Sequence, residues 1–161
     1  MIIKQLIDED FVNYKKPSMY IGFPKCNFKC EKECGQQVCQ NGVLATSPNI
    51  DIDVDYIVSR YLSNFITNAI VIAGLEPFDS FDDLYKLISK LRDCTDDDIV
   101  IYTGYYKEEI REQLDRIGCM KNIIIKFGRF IPNQQKHYDE VLGVYLASDN
   151  QYAEKISQVG E

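Results

Sequence analysis

The stretch Ala69-Ile70-Val71-Ile72-Ala73-Gly74 is an unbroken run of apolar residues that ends in a glycine. Polar and apolar residues do not alternate in it, so neither face of a strand formed by this run is suited to water. A strand buried on both faces is typical of a parallel sheet, which is covered by the helices that connect its strands. This stretch therefore predicts an α/β fold with a mainly parallel sheet.

Strand and helix patterns alternate along the chain on either side of that run. Further strands are predicted at four places: residues 1–7, Ser18–Phe23, 99–102 and 123–125. Helices are predicted where apolar residues recur at three- and four-residue steps: Val54, Ile57, Val58, Tyr61, Leu62 and Phe65; Phe81, Leu84, Leu87, Ile88 and Leu91; and Ile110, Leu114 and Ile117 within 107–117. Asp51 or Asp53 is the expected N-cap of the first helix. The alternation predicts parallel strands with right-handed crossovers, in a sheet that is open or curled into part of a barrel.

The composition predicts one globular domain that spans residues 1–161. The chain has 161 residues, of which 45% are hydrophobic, enough for one core and too few for two domains of ordinary size. Its formal net charge of -7 argues against broad electrostatic binding to nucleic acid or to an anionic membrane. No apolar run approaches the roughly 20 residues that span a bilayer. We therefore expect a cytoplasmic protein with reduced thiols.

Four of the six cysteines lie in one short polar segment, at Cys26, Cys30, Cys34 and Cys39. Thiolates this close together repel one another, so they need a metal, a disulfide or protonation. The segment follows the strand predicted at Ser18–Phe23, and a loop at a strand end can wrap a metal centre. Its C-x3-C-x3-C spacing offers three thiolates, and a 4Fe-4S cluster held by three cysteines leaves one iron open to another ligand.

Three other interpretations of the cysteine segment compete with the open cluster. A closed zinc site made by all four cysteines is one, although zinc sites usually contain C-x2-C pairs and this segment has none. Disulfides require an oxidising compartment, and the N-terminal apolar run is too short to be a secretory signal. Inert thiols are the third, but free cysteines are usually scattered and buried.

Loops that follow the other predicted strands are the expected partners of the cysteine segment. They are Gly74-Leu75-Glu76-Pro77, Thr103-Gly104-Tyr105 and Gly128-Arg129-Phe130. In parallel α/β folds ligands bind where the strands end, so four such loops at one edge would form one site. The first two loops also have a plain structural interpretation as turns, and Thr103 or a nearby residue could cap the following helix.

Taken together, the cysteine triplet, the Gly-x-Glu-Pro loop, Tyr102-Thr103-Gly104-Tyr105 and Ser148-Asp149-Asn150-Gln151 resemble the radical S-adenosylmethionine (radical SAM) family. The likeness extends from about Ser18 to Gln151 and is strongest to the activating proteins of anaerobic ribonucleotide reductase. It implies an α/β fold whose mainly parallel sheet forms a partial (β/α) barrel of the radical SAM type. It also implies a 4Fe-4S cluster on Cys26, Cys30 and Cys34.

The resemblance further implies a cofactor and partners. S-adenosylmethionine would bind at the open iron and at these residues: Gly74, Leu75, Glu76, Pro77, Thr103, Ser148 and Asn150. Reductive cleavage to a deoxyadenosyl radical would then install a glycyl radical on a partner such as anaerobic ribonucleotide reductase, with flavodoxin or ferredoxin as electron donor. The family spacing is C-x3-C-x2-C, whereas the last gap here is three residues, so Cys39 is an alternative third ligand.

Two plainer alternatives stay open at this point. Ser148 and Asn150 could do no more than cap a short C-terminal helix. The whole chain could be a non-catalytic interaction module in which zinc or a closed iron-sulfur cluster staples the segment from Cys26 to Cys39.

Overall fold

The computed structural model describes residues 1–26 and 42–157. The strands of this part are β1 Ile2–Ile3, β2 Gln5–Asp10, β3 Ser18–Phe23, β4 Ile50–Asp51, β5 Ala69–Gly74, β6 Asp98–Tyr102, β7 Ile123–Phe127, β8 His137–Asp139, β9 Val144–Leu146 and β10 Tyr152–Lys155. The α-helices are α1 Gly42–Thr46, α2 Val54–Leu62, α3 Phe81–Cys94 and α4 Arg111–Ile117. Two 3-10 turns, Pro77–Ser80 and Lys107–Ile110, lead directly into α3 and α4.

A six-stranded sheet in the order β10-β7-β6-β5-β3-β2 forms the centre of the fold. Its four inner strands are parallel, and their register aligns Ile21, Ile72, Ile101 and Ile125 in one row across the sheet. Its two edge strands, β2 and β10, are antiparallel to their neighbours. The fold is therefore mixed α/β with a mostly parallel sheet, and its closure into a partial barrel of the radical SAM type stays a prediction.

The first helix begins where the sequence predicts and ends earlier. Asp53 is the N-cap of α2, and its Oδ1 accepts a hydrogen bond of 2.8 Å from the N–H of Asp55. The prediction that Phe65 belongs to the buried face of this helix was wrong, because α2 ends at Leu62 and Phe65 is 98% exposed. Asn64 redirects the chain there, since its side-chain oxygen accepts a hydrogen bond from the N–H of Ile66, as in an Asx turn.

The N-terminal and C-terminal segments also differ from the sequence prediction. Residues 1–7 do not form one strand, because β1 pairs with β4 while β2 pairs with β3. The chain changes partner between Ile3 and Gln5. The hairpin of β8 and β9 and the edge strand β10 lack a strong apolar pattern and were not predicted.

The two faces of the sheet are covered differently. Helices α2, α3 and α4 pack against one face, which carries Met19, Ile21, Ile70, Ile72, Ile99 and Ile101. We call the opposite face the cavity face. Near the start of the strands it is covered by Tyr14 of the β2–β3 loop and by Leu142 and Leu146 of the β8–β9 hairpin, which pack on Ala69, Val71, Val100 and Ile124. Toward the ends of the strands the same face borders a cavity.

None of the helices in the described residues has both the length and the apolar character that crossing a bilayer requires.

Candidate functional site

A cavity of about 460 Å³ lies at the carboxyl ends of the parallel strands. Its wall includes residues from the segment that ends or follows each of the four strands: Cys26 after β3; Gly74, Leu75 and Glu76 at β5; Thr103, Gly104 and Tyr105 after β6; and Gly128, Arg129 and Phe130 after β7. This is the edge of a parallel sheet where ligands bind. The structure thus brings Cys26 and the three predicted loops together around one cavity.

Glu76 links two of these loops. Its Oε2 accepts hydrogen bonds from the N–H of Phe78 at 3.1 Å and from the hydroxyl of Thr103 at 2.9 Å. Its Oε1 accepts one from the N–H of Gly104 at 2.8 Å. Because Thr103 follows β6 while Glu76 follows β5, the carboxylate fixes the two strand ends relative to each other. Thr103 does not cap the following turn; Tyr106 is at that position.

Burial makes the Glu76 carboxyl group a weaker acid than an ordinary glutamate. The side chain is 4% exposed, and removal from water raises its pKa to about 7. The nearby charge of Asp79 raises the pKa as well, whereas the hydrogen bonds from Gly104, Phe78 and Thr103 lower it. Glu76 therefore changes its charge near neutral pH.

Gly74 allows β5 to end against β3. Its φ is +92°, and a Cβ atom built on it would lie 2.4 Å from the backbone nitrogen of Phe23. No side chain fits at that distance, so the close approach of the two strands requires glycine here. The next residue, Leu75, lines the cavity and donates its N–H to the carbonyl of Phe23 at 3.1 Å. Pro77 is buried behind it, begins the 3-10 turn and lies outside the cavity wall.

Two buried cations line the side of the cavity formed by β7. Lys126 is 7% exposed and donates to the carbonyl of Gly128 at 3.1 Å. Arg129 is 4% exposed; its guanidinium is 2.6 Å from a carboxylate oxygen of Glu109 and lies over the ring of Tyr106 at 4.9 Å. The cavity therefore has a buried carboxylate at the β5 loop and positive charge at β7.

Ser148 and Asn150 lie behind the cavity rather than in its wall. The hydroxyl of Ser148 donates to Oδ1 of Asn150 at 2.7 Å. The amide of Asn150 donates to the carbonyl of Arg129 at 2.7 Å and to the hydroxyl of Tyr106 at 2.8 Å. The pair thus braces the loop that carries Arg129. Strand β10 follows them, so the prediction of a short C-terminal helix was wrong.

Some residues of the cavity wall were not predicted from the sequence. They are Gln5, Ile7, Asp10, Val12, Asn13, Tyr20, Ala73, Tyr102 and Lys126. One sequence signal pointed to Lys126, which is a charged residue inside the apolar run of β7. No sequence signal pointed to Asp10 and Asn13. They reach the cavity because β2 joins the sheet as an antiparallel edge strand, a pairing that the sequence did not predict.

The cysteines are the donor set that the sequence predicts for a metal centre. Cys26 is half-buried and lines the cavity just beyond β3, while Cys30, Cys34 and Cys39 lie outside the described residues. Within residues 1–26 and 42–157, no group of three or more His, Cys, Asp or Glu side chains could hold a metal ion. A thiol that opens on the cavity, at the start of a segment with three more cysteines, fits a cluster bound by thiolates.

A cysteine-rich segment that follows a strand at the ligand-binding edge of a parallel sheet can supply the thiolates of an iron-sulfur cluster. A family model described as a 4Fe-4S single cluster domain matches residues 18–152, from the first residue of β3 to the first residue of β10, and the chain belongs to that family. The match includes the cysteine segment and the loops that follow β5, β6 and β7, and it indicates a 4Fe-4S cluster as the cofactor. Comparison with curated proteins and with solved structures found no match.

Proposed function

We propose that this iron-sulfur protein is a radical SAM enzyme, similar to the activating proteins of anaerobic ribonucleotide reductase. The observation that carries the proposal is the meeting of Cys26, Glu76 and Thr103 around one cavity at the ends of three parallel strands. A cluster at the cysteine segment would lie beside the loops that the resemblance assigns to S-adenosylmethionine.

The charges of the cavity support a ligand of this kind. S-adenosylmethionine carries an ammonium group and a carboxylate on its methionyl part. Glu76 has used three of the four lone-pair sites of its carboxylate, which leaves one acceptor site on Oε1 for an ammonium group. Lys126 and Arg129 supply positive charge that favours a carboxylate.

The protein would position the reactants while the bound groups supply the chemistry. S-adenosylmethionine, when bound and given one electron by the cluster, would supply a deoxyadenosyl radical, with methionine as the other product. Transfer of a hydrogen atom from a glycine Cα of the partner enzyme would then give 5′-deoxyadenosine and a glycyl radical. Cys26, Cys30 and Cys34 would hold the cluster, with Cys39 as the alternative to Cys34.

The partner and the electron donor come from the resemblance alone. Anaerobic ribonucleotide reductase is the proposed glycyl radical enzyme, and flavodoxin or ferredoxin is the proposed donor of the electron. The partly exposed Cys26 at the cavity supports a cluster that a donor can reach.

The test begins with anaerobic reconstitution by iron and sulfide, followed by reduction. We expect the electron paramagnetic resonance signal of the reduced cluster to change when S-adenosylmethionine is added, and we expect 5′-deoxyadenosine and methionine to form. Cys30→Ala should abolish both results. Cys119→Ala is the matched control, because Cys119 is exposed at the end of α4 and lies outside the cavity wall.

A protein that binds zinc, or a cluster that does not respond to S-adenosylmethionine, would contradict the proposal and favour a non-catalytic metal-binding module. The partner is tested separately, by a glycine-centred radical signal in an anaerobic ribonucleotide reductase from the same source. Cofactor cleavage without that signal would overturn the partner alone.

A further inference from the structure

The cavity meets solvent next to Val12, in the loop between β2 and β3. Among the described residues of the cavity wall, Val12 alone is exposed, at 73%, and the others are buried or half-buried. A side chain that lines a cavity and still lies mostly in water is at the opening of that cavity. The adjacent Phe11 is 63% exposed and lies just outside the wall. We call Phe11 and Val12 the rim pair.

The loop that carries the rim pair is fixed on both sides. Before the pair, Asp10 is buried, and its Oδ2 accepts hydrogen bonds from the N–H and the side-chain amide of Asn13 at 3.3 Å and 2.9 Å. After the pair, the carbonyl of Asn13 accepts one from the hydroxyl of Tyr102 at 2.6 Å. The buried Tyr14 donates its hydroxyl to Asp98 at 2.7 Å. The loop therefore cannot turn its two apolar side chains inward without breaking bonds made by buried groups.

The position of the rim pair favours a macromolecular ligand over a small one. A molecule held inside the cavity of about 460 Å³ reaches Val12 at most, because Phe11 lies outside the wall. Only a body that extends beyond the opening covers both side chains. Scattered apolar residues are ordinary on a protein surface, whereas apolar side chains grouped beside a ligand cavity are typical of an interaction site.

The place of the rim pair at the opening also favours one kind of macromolecule. The formal net charge of -7 disfavours an anionic membrane or a nucleic acid. A second copy of this chain on the rim pair would stand across the opening and close the cavity. A protein partner on which the cavity acts must instead cover this opening, so it meets the rim pair wherever else it makes contact.

We infer that the rim pair is the docking surface for the protein partner of this enzyme, and that it fits an apolar recess on that partner. The inference rests on the proposed function, since that function requires a protein to cover the cavity opening. Phe11 is the main anchor, because aromatic side chains buried at an interface carry much of its binding energy. A side chain held rigidly in place also loses little conformational entropy when the partner binds.

The experiment measures binding of the cluster-loaded protein to an anaerobic ribonucleotide reductase from the same source, by anaerobic biolayer interferometry. Thermal unfolding and iron content first establish that each variant folds and holds its cluster. Phe11→Ser should raise the Kd at least about tenfold. Phe11→Leu keeps an apolar side chain and should bind as the wild type does. Phe65→Ser is the matched control and should leave the Kd unchanged, because Phe65 is more exposed than Phe11 but follows α2 and lies outside the cavity wall.

A second measurement separates docking from the chemistry. Without reductase, Phe11→Ser should cleave S-adenosylmethionine at the wild-type rate, because Phe11 lies outside the cavity wall. With reductase, its loss of glycyl radical formation should appear as a higher KM for the reductase and disappear at saturation, as expected when only binding is weakened. If the wild type does not cleave S-adenosylmethionine, the proposed function fails, while reductase binding that depends on Phe11 still supports the docking surface.

The inference would be overturned by a reductase that does not bind the wild type, or that binds the wild type and Phe11→Ser equally well. A loss of binding in Phe65→Ser as large as that in Phe11→Ser would also overturn it, because the effect would then not be specific to the rim pair. Sedimentation velocity tests the remaining occupant. If Phe11→Ser weakens self-association and leaves reductase binding unchanged, the rim pair is a contact between two copies of this chain and the inference is wrong.

Discussion

Replacing the Glu76 carboxyl group by an amide should remove a specific part of the dependence of stability on pH. In the folded protein the pKa of Glu76 is about 7, against an ordinary value of 4.5. The folded state therefore holds this proton more tightly than the unfolded chain does. The stabilisation that the protonated Glu76 contributes to the folded state is fully present below pH 4.5. It falls as the pH rises and stays at its lower level above pH 7. Glu76→Gln is neutral at every pH and cannot show this change.

The size of the effect follows from the two pKa values. Each pKa unit corresponds to about 1.36 kcal/mol, so a difference of about 2.5 between the folded and unfolded values corresponds to about 3 kcal/mol. Of this, about 2.5 kcal/mol is lost between about pH 5 and pH 8.5. The other ionisable groups are common to both proteins, so they largely cancel when wild type and variant are compared at the same pH.

Urea unfolding of wild type and Glu76→Gln across this pH range measures the effect. We expect Glu76→Gln to be the less stable protein at pH 5, because an amide presents an N–H group where the carboxyl oxygens accept from Phe78, Thr103 and Gly104. The disadvantage of the variant should shrink as the pH rises. Glu112→Gln, at an exposed position of α4, is the control and should change stability by no more than about 0.5 kcal/mol. A stability difference between wild type and Glu76→Gln that stays constant from pH 5 to pH 8.5 would refute the raised pKa.

Two further predictions concern the backbone and the cluster. Gly74→Ala should destabilise the protein by at least about 2 kcal/mol in thermal or urea unfolding, because its Cβ would lie 2.4 Å from the Phe23 nitrogen. Gly104→Ala is the control and should be tolerated, since its Cβ would lie 3.6 Å from Glu76. Equal losses of stability in the two variants would argue against the close approach of β5 to β3. Cys34→Ala should abolish cluster-dependent cleavage of S-adenosylmethionine while Cys39→Ala retains it, as measured by iron content and product formation. The reverse result would move the third ligand to Cys39 and leave the family unchanged.

Local patterns made much of the fold predictable. The apolar run at β5 predicted a buried strand, and both faces of that strand are covered. The helices cover one face, and the β2–β3 loop and the β8–β9 hairpin cover the cavity face. The N-cap at Asp53 was predictable because capping depends on a side chain and a backbone N–H only two residues away. By contrast, the end of α2 at Leu62 depends on an Asx turn, which competes with the helical pattern that continues to Phe65.

The sequence by itself determined the strand-helix alternation, the glycine that ends β5 and the cysteine segment, because each is a property of neighbouring residues. Only the tertiary structure decided that Glu76 accepts hydrogen bonds from Thr103 and Gly104, and that Ser148 and Asn150 brace Arg129 instead of lining the cavity. These contacts join residues about 20 to 30 positions apart. They depend on the order and register of the strands, which the periodicity of a single segment does not encode.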